Sequence, residues 1–233
     1  MSILRVQGVS KSFKDFRALQ DVSFSLEEGD NLAIIGESGS GKTTLAKMLM
    51  GLIEPDTGSI MTQGRLQMVF QDPYNSLDPL WSVQEILKEA LWPGPVDQLR
   101  MEKILEAVGL SPEVLSRFPH EFSGGERQRI AIARSLLASP KVLILDEAVS
   151  ALDTLVQKQI MNLLRKLKQD FNLTYIFISH NLRLVRQFSD KIIVIYEGKI
   201  VEQGEIKAVL HSPLHPYTRE LMQAAFYSKM GKE

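Results

Sequence analysis

The chain has 233 residues, enough for one large domain or two small ones with a sizeable core. Its 27 Lys and Arg against 28 Asp and Glu leave a formal net charge of -1, which argues against a protein that coats nucleic acid or an anionic membrane. With no cysteine there are no disulfides, thiolate metal sites or iron–sulfur clusters, as fits a cytosolic globule. The longest apolar runs, 142–145 and 192–196, fall far short of the ~20 residues that span a bilayer. Residues 1–10 lack a basic stretch followed by an apolar one, so no export signal is expected.

In chain order, residues 3–26 alternate through Leu4, Val6 and Val9, then Val22, Phe24 and Leu26, the pattern of an antiparallel β layer. Apolar runs at 32–35, 67–70, 142–145 and 175–178 read as buried strands, and each gives way at once to glycine or polar residues. After the first of them, 42–52 sets Leu45, Met48, Leu49 and Leu52 on one helical face. Segment 72–121 is punctuated by turn signals (Asp72-Pro73, Asp78-Pro79, Trp92-Pro93-Gly94-Pro95, Ser111-Pro112) around short helices. Ser82 and Glu85 make a capping box there, and 97–108 is a helix stopped by Gly109. Trp81 and Trp92 are expected in the core of this segment. Helices then follow over 127–138 and 153–171, the latter repeating Val156, Ile160, Leu163, Leu164 and Leu167. Strands alternating with amphipathic helices predict an α/β fold with a mainly parallel sheet and an N-terminal antiparallel β-subdomain. Residues 1–71 and 122–233 are expected to form its core, with 72–121 as an inserted α-helical subdomain. In such sheets ligands bind beyond the carboxyl ends of the strands, where all four polar breaks fall.

The first break is the most informative. Gly36-Glu37-Ser38-Gly39-Ser40-Gly41-Lys42-Thr43 matches G-x-x-x-x-G-K-[ST] at every defined position, between a predicted strand and a predicted helix. Glycines let backbone N–H groups wrap a phosphate, and the following helix presents its positive end. Lys42 adds a full charge near the β- and γ-phosphates, and the Thr43 hydroxyl can ligate Mg²⁺. Gly36, Ser38, Gly39, Gly41, Lys42, Thr43 and Thr44 are therefore the candidates for holding ATP.

The third break, after 142–145, is Asp146-Glu147. Asp146 is the candidate second element of a Mg²⁺ site, and Glu147 the candidate general base for an attacking water. Ahead of helix 127–138 stands Ser123-Gly124-Gly125-Glu126. A capping box explains the serine and the glutamate. It does not explain two glycines in a first helical turn, which are costly unless something approaches the backbone closely. Bare amides and a hydroxyl at a helix N-terminus make a second candidate phosphate binder.

The ordered set 36–43, Gln71, 123–126, Asp146-Glu147, Ser150-Ala151-Leu152-Asp153 and His180 resembles an ABC-type ATPase domain over nearly the whole chain. The resemblance implies P-loop ATPase chemistry in a nucleotide-sandwich dimer, with ATP and Mg²⁺ as cofactors. It makes Ser123, Gly124 and Gly125 the family signature, although Phe122 and Glu126 stand where the family has Leu and Gln. It makes 150–153, including Asp153, the loop that runs across the dimer interface. It makes His180 the switch histidine beside the γ-phosphate, and Gln71 the link between Mg²⁺, water and the helical subdomain. Phe13 stands where the family places an aromatic that stacks on adenine. His120, His211 and His215 are read as surface or turn residues.

Residues 71–79 and the tail His211-Ser212-Pro213-Leu214-His215-Pro216-Tyr217-Thr218 resemble the peptide and nickel importer subfamily. Chain length and the missing C-terminal cysteine cluster are similar to nickel-type ATP-binding subunits. That implies uptake of nickel, cobalt or a metal chelate, with a di- or oligopeptide importer as the alternative and a non-transport ABC ATPase as a remote one. The implied partners are a second, homologous ATP-binding subunit, two transmembrane permease subunits and, indirectly, an extracytoplasmic solute-binding protein. No nucleic acid is expected. The implied location is peripheral, on the cytoplasmic face of the cell membrane. Between Gly51 and Gln71 the chain is shorter than the family pattern, as if part of a β-hairpin and a helix were missing.

Overall fold

A computed structural model describes residues 2–70 and 76–227. In chain order the elements are β1 (Ser2–Phe13), β2 (Phe16–Glu27), β3 (Asn31–Ile35), α1 (Lys42–Leu49), β4 (Thr57–Thr62), β5 (Leu66–Val69), α2 (Val83–Glu89), α3 (Gln98–Ala107), α4 (Gly124–Leu137), β6 (Val142–Asp146), α5 (Thr154–Phe171), β7 (Thr174–Ile178), α6 (Leu182–Phe188), β8 (Lys191–Tyr196), β9 (Lys199–Glu205), α7 (Ile206–His211) and α8 (Pro216–Met222). They divide into two compact units, 1–63 with 174–233 and 64–173. The expected insertion 72–121 lies inside the second.

In the first unit, β2, β1 and β4 pair antiparallel in that order. The alternation in 3–26 is the reason: Leu4, Val6, Val9, Val22 and Leu26 are buried while residues between them face solvent. The short segment after Gly51 still supplies a strand, β4, at the edge of this layer. Beside it, β7, β3 and β8 run parallel, Ile34 opposite Ile178 and Ile193, and β9 closes on β8 antiparallel. β3 and β7 are buried at every position, as continuous apolar runs in a parallel sheet must be. Phe188 of α6 packs its ring 5.4 Å from Tyr175 and 5.2 Å from Phe177.

The second unit pairs β5 with β6 in parallel, Leu66 opposite Val142 and Val69 opposite Leu145. Over them α4 buries Ile130, Ala133, Leu136 and Leu137, and α5 buries Ile160, Leu163, Leu164 and Leu167. α2 starts in the expected capping box, Ser82 accepting from the Glu85 amide, and α3 is capped by Asp97.

Three expectations differ. α1 ends at Leu49, not at residue 52, because Gly51 adopts φ 70° and the Leu52 amide bonds back to the Lys47 carbonyl. Leu52 is thereby left outside the helix and exposed. α4 starts at Gly124 rather than residue 127, so both glycines are helical. Trp92 is 83% exposed and Trp81 39%, so neither belongs to a core. The buried side chains of this segment are aliphatic ones instead, among them Val83, Ile86, Leu87, Met101 and Leu105.

Candidate active site

The phosphate loop emerges from the buried end of β3. A Cβ at Gly36 would run into the Ile195 carbonyl oxygen of β8, and one at Gly41 into the Ala18 carbonyl and Leu19 of β2. Glycine is thus required at both ends of the loop by close approach of neighbouring backbone. α1 starts at Lys42 behind an N-cap, Gly41 (φ 108°), that has no side chain to cap it, so its first amides are offered to whatever enters the loop. Thr43 is exposed at this end and Thr44 half-buried.

Lys42 lies only 8% exposed. Its Nζ donates to the Gly36 carbonyl at 2.8 Å and the Glu37 carbonyl at 2.7 Å, so the lysine is folded over its own loop. Glu37 is held a second time, its backbone N–H donating to the Tyr217 hydroxyl of α8 at 2.8 Å. His180 stands one residue beyond β7, after Ser179, and is exposed. Because Ile34 pairs with Ile178 in parallel register, His180 and Gly36 stand at the same edge of the sheet. Phe13 ends β1 opposite Phe16, 44% exposed, with the Lys11 ammonium 5.7 Å from its ring centroid. The ring is available to a ligand rather than locked in a core.

In the second unit Asp146 ends β6 and is 7% exposed, a carboxylate carried inward by a strand buried at every position. Glu147 takes φ 51°, a left-handed conformation rare outside glycine. Its carbonyl accepts from the Ser150 amide (2.9 Å) and hydroxyl (2.8 Å), which closes the turn that produces this backbone. Asp153 is the N-cap of α5, accepting from the amides of Leu155 and Val156 at 3.0 Å each. Gln157 ties the intervening loop down by donating to the carbonyls of Val149 and Leu152.

Ser123 caps α4 in a reciprocal box. Its hydroxyl donates to the Glu126 carboxylate at 2.7 Å, its amide donates to the same oxygen at 2.9 Å, and the Glu126 amide returns to the hydroxyl. The Ser123 hydroxyl and amide together hold the Glu126 carboxyl below the usual carboxylate range. Gly125 has a packing reason of its own, since a Cβ there would lie 2.6 Å from Val156 of α5. Close approach to the α4 backbone therefore comes first from a neighbouring helix. Gln71, together with the first part of the 71–79 motif, lies outside the described residues.

Two participants carried no signal in the sequence. Tyr217 belonged to the tail motif but not to any site, and Gln157 looked like one more polar residue on a helix. Both act through backbone groups distant in sequence, which no local pattern announces.

The hydroxyls, carboxylates and backbone amides of the candidate set suit a hard cation and phosphate, and the Lys42 ammonium suits phosphate. The Thr43 hydroxyl of the first unit and the inward Asp146 carboxylate of the second are each of a kind that suits Mg²⁺, and the glycine cradle is one that side chains would fill.

A glycine loop leading from a buried parallel strand into an uncapped helix defines a P-loop ATPase fold of the α/β class. Comparison with known proteins narrows this. A family model described as ABC transporter matches residues 19–150. The chain is 45% identical over 228 residues to the D,D-dipeptide transport ATP-binding protein DdpF of Escherichia coli (strain K12), covering 94% of this chain and 74% of that one. It is 43% identical over 242 residues to the glutathione import ATP-binding protein GsiA of the same strain, covering 95% of this chain but only 39% of GsiA. Among solved structures, cbiO1 of Clostridium perfringens, part of the ABC transporter complex cbiONQ, superposes with TM-score 0.82 at 29% identity over 91% of each chain. The chain belongs to the ABC transporter family, whose ATP-binding proteins are ATPases coupled to transport. Among the described residues no helix is long and apolar enough to cross a membrane.

Proposed function

We propose that this chain is the ATP-binding subunit of an importer for peptide-like cargo, hydrolysing ATP to drive separate membrane permeases. The observation that carries the cargo class is the 45% identity to DdpF across 94% of the chain, seconded by the match to GsiA. These relatives favour the peptide alternative over the nickel reading drawn from chain length. Chain length records nothing of cargo chemistry, whereas the identity to DdpF extends over 94% of the chain. The chain spans 39% of GsiA, and that protein's activity and partners enter here only as part of the proposal.

In this reading the amides at the start of α1 and Lys42 bind the β- and γ-phosphates, and Phe13 stacks on adenine. Thr43, Asp146 and Gln71 would hold Mg²⁺, which would neutralise phosphate charge. Glu147 accepts a proton from the attacking water, and His180 orients that water and the γ-phosphate. Ser123, Gly124, Gly125 and the loop through Asp153 serve the nucleotide of a second ATP-binding subunit, so that hydrolysis waits for closure of the pair. The exposed Trp92 and the half-exposed Trp81 fit a helical insertion, 72–121, that receives permease segments. A solute-binding protein on the far side would deliver cargo, and the subunit would sit peripherally on the cytoplasmic face of the membrane.

The test is Glu147→Gln. The variant should bind ATP, hydrolyse it at least about a hundredfold more slowly than wild type, and accumulate as an ATP-dependent dimer in size-exclusion chromatography. Normal turnover would remove Glu147 from the role and the reading with it.

A further inference from the structure

The phosphate loop is braced from a direction that nucleotide chemistry does not require. Glu37 is fixed on both sides of its α-carbon: its carbonyl accepts from Lys42 at 2.7 Å, and its N–H donates to the Tyr217 hydroxyl at 2.8 Å. Tyr217 is 5% exposed, and its ring lies 4.3 Å from that of Tyr196 at the end of β8. The start of α8 is itself clasped. The Glu202 carboxylate of β9 accepts from the amides of Leu214 at 2.9 Å and His215 at 3.1 Å. His215 Nδ1 accepts from the Tyr217 amide, and Arg219 donates back to the carbonyls of Pro213 and Leu214. A continuous chain of contacts thus runs from β9 through the His-Pro-Tyr turn into the loop.

We infer that Tyr217 is a positioning residue for nucleotide binding, the tail segment acting as a strut that holds the loop at Glu37 in its phosphate-accepting shape. The inference rests on the phosphate loop being the ATP site. Its physical content lies in what Lys42 must do. A lysine redirected toward phosphate gives up carbonyl contacts at Gly36 and Glu37, and the loop then depends on holds that do not involve it. The bond from Glu37 to Tyr217 is one such hold, and it survives the redirection because it uses the opposite side of the residue. Burial keeps the Tyr217 phenol above its usual range, so the oxygen stays a neutral hydroxyl able to accept at neutral pH.

Tyr217→Phe keeps the ring and removes the hydroxyl. Titration of the full chain with a fluorescent ATP analogue should show Kd raised about three- to tenfold, as for loss of one hydrogen bond. In steady-state hydrolysis KM for ATP should rise by a similar factor while kcat at saturating ATP stays within about twofold. A purely structural role would instead lower kcat through a smaller active fraction and leave KM unchanged. Glu202→Gln, which weakens the clasp without touching the loop, should shift Kd the same way by less. Leu214→Ala, altering a 78% exposed side chain, should leave Kd unchanged. Should Tyr217→Phe melt far below wild type, Glu202→Gln carries the test. Wild-type Kd in both variants overturns the strut. Failure of the wild-type chain to bind any nucleotide overturns the ATP site itself, a separate result.

Discussion

Glu126 stands where the ABC family has glutamine, and its neighbours show what the difference does. Its carboxylate takes the Ser123 hydroxyl hydrogen at 2.7 Å, so the signature serine is engaged within its own helix cap. The carboxylate also puts a negative charge within the first turn of α4, which favours the helix but repels a phosphate approaching that end. Glu126→Gln keeps a capping-box residue and removes the charge. In the Glu147→Gln background it should raise ATP-dependent dimerisation about two- to tenfold at low salt, with the gain shrinking as salt screens the repulsion. Analytical ultracentrifugation at two ionic strengths measures this. An unchanged or weaker dimer would mean that Glu126 does not face phosphate.

At the scale of elements, α4 and α5 meet at Gly125 and Val156, where residue 125 has no room for a side chain. Gly125→Ala introduces a Cβ 2.6 Å from the Val156 methyl, against a helix-propensity gain of about 1 kcal/mol for alanine over glycine. Overpacking of this kind costs about 1–3 kcal/mol, so the single variant should be destabilised on balance. Adding Val156→Ala removes the obstruction. A double-mutant cycle by chemical denaturation should give a favourable coupling of about 1 kcal/mol, and simple additivity would show that the helices yield freely. Two capping boxes are legible from spacing alone, Ser82 with Glu85 at α2 and Ser123 with Glu126 at α4, and both form. Helix ends are less legible. The exit at Gly51 and the helical state of Gly124 are settled by the backbone's remaining bonds, not by the apolar pattern.

For the whole molecule, one chain carries one phosphate loop and one signature segment, so a closed pair of chains would hold two ATP in two shared sites. Mixing Lys42→Ala subunits with Ser123→Arg subunits tests this. Each variant alone should be inactive as a homodimer. In a mixed pair one site loses both residues and the other keeps both, so ATPase activity should reappear at up to about half the wild-type rate per pair. Sites complete within a single chain would show no such recovery. If the natural partner is a different homologous chain, the same design applies with one variant in each.

Composition, the 36–43 motif and the acids ending strand 142–145 were enough to establish an α/β nucleotide-binding protein and to nominate Lys42, Asp146 and Glu147. Motifs of this kind are legible because phosphate chemistry demands particular residues at short, fixed spacing. Tertiary structure alone revealed that Gly36 and Gly41 are required by neighbouring backbone, that Gly125 answers to Val156, that Trp92 faces solvent, and that Tyr217 grips the phosphate loop. Each depends on atoms far apart in sequence brought within a few ångströms, and such proximity is set by packing among strands and helices, which leaves no local trace in the chain.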